Sequence, residues 1–123
     1  MKISKFTDLE VWKKAHRLTL TIYQTTSNFP KSEFYGLISQ LRRAAVSIES
    51  CIAEDFSRYH YKDRLRFYYD ARGSISEVQT QVITAKDLKF IREKEFKTLW
   101  DQTEKTAIIL GGLIRSTDNL AKK

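Results

Sequence analysis

The chain has 123 residues, 41% of them hydrophobic, which is enough for one buried core and too short to argue for two domains. Four Gly and a single Pro leave few places to turn the backbone, so many short strands are excluded in favour of an all-α chain. Lys+Arg 22 against Asp+Glu 15 gives +7, a balance that favours a polyanion such as RNA, DNA or an acidic membrane surface, and that also serves to keep a protein dissolved.

The first helix is expected over about 8–27. Thr7 offers a cap, Glu10 completes a capping box and Phe6 can staple onto Val11. Trp12, Ala15, Thr19, Ile22 and Tyr23 then recur at three- and four-residue steps until Pro30 ends helical geometry. Lys2, Lys5, Lys13, Lys14 and Arg17 make this stretch net positive against Asp8 and Glu10. Lys13, Lys14 and Arg17 fall on its outward side and are candidate phosphate contacts, with a merely solvated face as the competing reading.

Ser32 can cap a second helix over about 33–58, with Leu37, Leu41, Ala44, Ala45, Ile48 and Ile52 as its apolar stripe. Within QLRRAAVSIESCIAEDFSRY a second, polar stripe runs through Gln40, Arg43, Ser47 and Glu54. A third helix over about 62–88 follows with only SRYHYK between, which forces an antiparallel hairpin. If that hairpin turns near His60, Arg43 falls opposite Glu77, Glu54 opposite Arg66, Gln40 opposite Gln81, and Ser47 opposite Gly73 and Ser74. The expectation is an interior-facing seam of paired charges that fixes register, with Gly73 permitting close approach of the two helices.

Around the turn, RYHYKDRLRFYY interleaves aromatics with cations. Leu65, Tyr68 and Tyr69 belong to the apolar face, whereas Tyr59 and Tyr61 are free to stack bases while Arg58, Lys62 and Arg64 neutralise phosphates. The fourth helix is expected over about 92–116, on Phe96, Leu99, Trp100, Thr103, Ala107, Leu110, Leu113 and Ile114, with DNLAKK as a frayed tail. No repeat, low-complexity tract or linker interrupts the chain, so the fold expected is an antiparallel up-down-up-down four-helix bundle in one domain, 1–123. Phe34, Phe56, Phe67, Phe90 and Ile109 exceed what such a core obviously needs, and self-association would bury some of them.

The usual enzymatic signatures are missing. No Gly-rich phosphate loop, His-Glu-x-x-His or Gly-x-Ser-x-Gly occurs, and neither His16 nor His60 has a Glu three residues before it, as a di-iron bundle would need. A helical ribonuclease would place Arg and His one or two turns apart, yet Arg58 and His60 are only two residues apart. No enzyme activity, metal or cofactor is expected. Cys51 stands alone and reads as a small buried hydrophobe in a reducing compartment. MKISKFTDLEVWKK lacks an apolar signal core and no window is long enough to span a bilayer, so a cytoplasmic location without membrane partners is expected.

FTDLEVWKKAHRLTLTIY, FPKSEFYGLISQLRRAAVSIESCIAED and RFYYDARGSISEVQTQ carry a family resemblance, most specifically at Leu9-Glu10-Val11-Trp12, Phe29-Pro30, Tyr35-Gly36-Leu37, Gln40 with Arg42-Arg43-Ala44, Arg66-Phe67, Ala71 and Gly73-Ser74. Over nearly its whole length the chain resembles the four-helix-bundle proteins encoded by intervening sequences within bacterial 23S rRNA genes, relatives of the accessory variability proteins of diversity-generating retroelements. The resemblance implies a homopentamer with a basic surface able to bind nucleic acid, and no catalytic residues. Where that family commonly reads Asn-Ile-Ala-Glu-Gly, this chain has Cys51-Ile52-Ala53-Glu54-Asp55, losing the amide and the glycine. The functional expectation is a non-enzymatic oligomer binding structured RNA or DNA. An adaptor docking an acidic protein partner such as a polymerase is the alternative.

Overall fold

The computed structural model describes residues 3–122. After a short 3-10 turn at Phe6–Asp8, four helices follow: α1 (Glu10–Thr26), α2 (Ser39–Phe56), α3 (Tyr61–Asp87) and α4 (Glu93–Ala121). Each packs against the next in sequence, and α1 also packs against α4, which closes a four-sided bundle. The direction of each helix relative to the one before it follows from cross-helix contacts, among them Gln79 Nε2 to Thr103 Oγ1 at 3.0 Å and Lys86 to Glu93 at 3.6 Å between α3 and α4. Gln40 meets Gln81 and Ser47 meets Ser74 between α2 and α3. His16 meets Glu49 and Thr19 meets the Ala45 carbonyl between α1 and α2. In each case residue numbers rise on one helix as they fall on the other, so the helices alternate up and down.

The core is the apolar stripe of each helix turned inward: Leu18 and Ile22 from α1, Leu41, Ile48 and Ile52 from α2, Ile75, Val78 and Val82 from α3, and Leu99 and Leu110 from α4. Fully burying a side chain of this size contributes about 1.5–3 kcal/mol, so these ten residues dominate the stability of the fold. Buried threonines fit among them by turning their hydroxyls back onto the helix. Thr19 donates to the Ala15 carbonyl, Thr26 to Ile22, Thr103 to Trp100 and Thr106 to Gln102, so these four hydroxyls are satisfied inside.

Four boundaries differ from the sequence expectation. No Thr7 cap forms; instead Asp8 Oδ2 accepts from the backbone N–H groups of Ser4 and Lys5, both at 3.1 Å, and these bonds hold its carboxyl below the usual carboxylate range. Phe6 packs edge-on against Trp12, with centroids 5.4 Å apart, in place of a staple onto Val11. The expected second helix is broken at its start. Lys31–Glu33 form a 3-10 turn and Phe34–Ile38 a π-type turn before regular α2 geometry begins at Ser39. The break lies at Gly36, whose φ and ψ are −107° and −114°. A Cβ there would stand 3.0 Å from Glu33 Oε1, the atom that accepts the Leu37 N–H at 3.2 Å. Finally, the tail does not fray at residue 116: α4 continues to Ala121, because Thr117 still faces the core and Lys122 pairs with Asp118 at 3.1 Å.

Candidate nucleic-acid interface

The polar stripe expected between α2 and α3 is half present, and the half that forms is uncharged. Ser74 Oγ donates to Ser47 Oγ at 3.1 Å, and Gln81 Nε2 donates to Gln40 Oε1 at 3.4 Å. The charged rungs are absent. Arg43 and Glu77 are both exposed and share no ion pair. Glu54 reaches Arg58 on its own helix at 3.9 Å instead of Arg66, whose guanidinium lies over the Phe67 ring at 4.9 Å. Solvation explains the division. Long ionic side chains at the edge of a helix interface keep their hydration by turning outward, whereas a hydroxyl pair and one amide N–H bond across it at smaller desolvation cost, and Gln81 Oε1 is left buried without a partner. Gly73 is also not a point of close approach, since a Cβ built on it would meet nothing within 4 Å.

The six expected phosphate contacts fall in two sets. His16–Glu49 puts the start of α1 at the height where α2 ends, so both sets belong to the same end of the bundle. On α1, Lys13 and Arg17 are exposed, and Lys14 reaches Glu10 at 3.7 Å. They line shallow hollows of about 280 and 300 Å³, the second shared with Asp101, Gln102 and Lys105 of α4. At the α2–α3 turn, a hollow of about 580 Å³ is lined by Phe56, Ser57, Arg58, Tyr59, His60, Tyr61 and Arg64. Arg64 Nε donates to the Arg58 carbonyl at 2.9 Å, which fixes the turn, and its guanidinium stands 5.7 Å from the Tyr61 ring centroid. Tyr59 is 89% exposed and Lys62 projects freely. No side chain caps α3, so the positive end of its dipole opens onto this hollow, with Asp63 the acid in its first turn.

Beneath the turn lies a group that sequence reasoning did not assign. Asp55 is completely buried, and neither of its carboxylate oxygens closes a hydrogen bond of acceptable geometry. Burial lifts its carboxyl from 3.8 to about 6, opposed by the Tyr68 hydroxyl that faces it and by Arg64. Tyr68 is pushed up as well, first by burial and then by Asp55. Its burial could have been suspected only from an acid standing where the resembled family has glycine. Cys51 is half-buried, its thiol raised chiefly by burial and its sulfur 4.0 Å from Ser47 Oγ, which suits the small-hydrophobe reading.

Two further constellations were not visible in the sequence. Trp12 stacks on His16 at 4.8 Å, and His16 Nδ1 lies 2.9 Å from Glu49 Oε2. At the opposite end, where α1 gives way to α2, two adjoining hollows of about 470 Å³ each share Phe34, Tyr35, Ile38 and Arg42. Of the five surplus apolar residues, only Phe34 is exposed; Phe90 and Ile109 pack against the core, and Phe56 and Phe67 are half-buried. Tyr35, Tyr59, Ile108 and Leu20 are more exposed than Phe34, at 92%, 89%, 72% and 57%.

These helices and their order can be set beside known proteins. The family model described as 23S rRNA-intervening sequence protein matches residues 7–112. The chain belongs to that family. A similar solved structure is a protein of unknown function from the S23 ribosomal protein family of Bacteroides thetaiotaomicron VPI-5482. It shares 16% identity, with a TM-score of 0.76 over 85% of this chain and 97% of that one, a likeness of fold. No curated protein matches the chain. Among the described residues of this family member no group of three or more His, Cys, Asp or Glu side chains could hold a metal ion, and no helix is long and apolar enough to cross a membrane.

Proposed function

We propose that this member of the intervening-sequence family is a non-enzymatic, self-associating bundle that binds structured RNA or DNA through the end where α1 begins and the α2–α3 turn projects. The observation carrying this reading is the turn itself. Arg58, Lys62 and Arg64 surround the uncapped start of α3, beside a tyrosine that is 89% exposed. Cations and free backbone donors at a helix start suit phosphate oxygens, and an open tyrosine ring suits a base. Lys13, Lys14 and Arg17 extend the positive surface along α1. A cytoplasmic setting goes with this reading, and five copies is the number expected from the resemblance.

The experiment is binding of the intact protein to a short RNA duplex across a salt series. On a duplex, log K should fall with log salt at about −0.9 for each phosphate contacted, and Lys62→Ala should flatten that slope by about one contact. Absence of binding even at low salt would refute the reading and leave the acidic-partner adaptor in its place. Self-association is tested separately by sedimentation of Ile108→Glu, which should release smaller species, because a charge on so exposed a group disturbs an interface and not the core.

A further inference from the structure

We propose that the hollow where α1 passes into α2, at the far end of the bundle from the hairpin turn, binds an unpaired nucleobase of a single strand, with Tyr35 as the stacking platform and Arg42 and Arg43 holding the adjoining phosphate. This rests on the nucleic-acid reading above and adds a second, strand-selective subsite to it.

The local backbone explains why the ring stands free. The break at Gly36 separates Phe34 and Tyr35 from the regular turns of α2, so neither side chain follows the inward stripe that Ile38 and Leu41 belong to. Tyr35 is 92% exposed and is backed edge-on by Phe34, with centroids 4.9 Å apart. That contact steadies one side of the tyrosine and leaves a π face open. Base–aromatic stacking needs such a face, and bases inside a duplex cannot offer theirs.

Arg42 supplies the second element. Its Nε donates to Thr26 Oγ1 at 3.0 Å, Nη2 reaches the Tyr23 carbonyl at 3.4 Å, and the guanidinium lies over the Tyr23 ring at 4.6 Å. Thr26 is in turn held by the Ile22 carbonyl at 2.7 Å. A guanidinium fixed on three sides loses little further freedom on binding, and Arg42 lines both hollows. Lys31 lines one hollow and Arg43 the other, and among the described residues neither they nor Arg42 is in an ion pair. No acidic residue lines either hollow, and the nearby Glu33 is turned onto the Leu37 N–H. Apolar rings bordered by three cations without a matching acid fit a polyanion carrying flat rings, and each hollow's volume lies within the ~300–1,000 Å³ of ordinary ligand sites.

The test uses the intact protein with a short RNA single strand carrying 2-aminopurine, and a blunt duplex of the same length. Native protein should quench the 2-aminopurine on binding. Tyr35→Ala should weaken single-strand binding roughly 5- to 100-fold while leaving duplex affinity unchanged, and Tyr35→Phe should restore it. Because the ring is almost wholly outside the fold, the alanine variant should melt as the native protein does. Equal single-strand affinity for Tyr35→Ala and native protein would overturn the proposal and leave duplex binding at the hairpin end untouched. So would a smaller sedimenting species for Tyr35→Ala, which would show that a sister chain covers the ring. Native protein that binds neither strand form would overturn the broader reading along with this one.

Discussion

Asp55→Asn should make the protein more stable at neutral pH and remove a pH dependence that the native chain carries. The native carboxyl is fully buried, with the Tyr68 hydroxyl and Arg64 only partly offsetting its loss of water, and its folded value of about 6 stands above the 3.8 of an ordinary aspartate. Between those two values the folded state binds more protons than the unfolded state, so stability falls as pH rises through the window and levels off above it. At about 1.4 kcal/mol per pH unit, the difference amounts to about 3 kcal/mol. That is a large share of the ~5–15 kcal/mol that holds a typical domain folded. Asparagine keeps a desolvated polar group but no charge, so the gain at pH 7 should be about 2–3 kcal/mol, shrinking towards zero near pH 4. Urea unfolding followed by the fluorescence of half-buried Trp12 and Trp100 at several pH values measures both curves. All other groups titrate in both proteins, so the gap between the curves isolates residue 55. A gap that is constant from pH 4 to 8, or one that narrows as pH rises, would refute the reasoning.

Gly73→Ala should stabilise the protein by about 0.5–1 kcal/mol in the same assay, because the position is helical and open and alanine restricts the unfolded chain. Double-mutant cycles should separate the rungs of α2 and α3. Ser47→Ala with Ser74→Ala should show coupling of about 0.5–1.5 kcal/mol, and Arg43→Ala with Glu77→Ala less than about 0.5 kcal/mol. His16→Ala should cost about 1 kcal/mol in thermal unfolding, since it leaves the mostly buried Glu49 without its partner and removes the ring that Trp12 covers.

Much of the fold was legible because its determinants are periodic. The apolar stripes through Leu18, Ile48, Val78 and Leu110 are carried by local spacing alone, and the short hairpin connector limits α2 and α3 to one register within about a residue. Gln40–Gln81 and Ser47–Ser74 follow from that register. Arg43–Glu77 and Glu54–Arg66 do not, because register sets the height of a side chain and says nothing about whether a long one turns to water. The break at Gly36 was hidden for a related reason. Its signal is a Glu three residues earlier reaching a backbone N–H one residue later, and that pattern is equally compatible with a continuous helix. Of the candidate interface, the cations at Arg58, Lys62 and Arg64 were readable as a cluster next to a turn. Tyr23, Tyr35 and Arg42 were not, since they come from α1, the turn at Phe34–Ile38 and α2 and meet only in three dimensions.

The rungs that do link α2 to α3 are neutral, and this separates what salt does to the fold from what it does to a ligand. Chloride screens exposed ions within a few ångströms at molar strength yet scarcely touches a serine pair or an amide pair. A polyanion bound to this protein should therefore wash away in concentrated brine while the four rods stay assembled, so the stripped protein can be recovered native and reloaded by dilution alone.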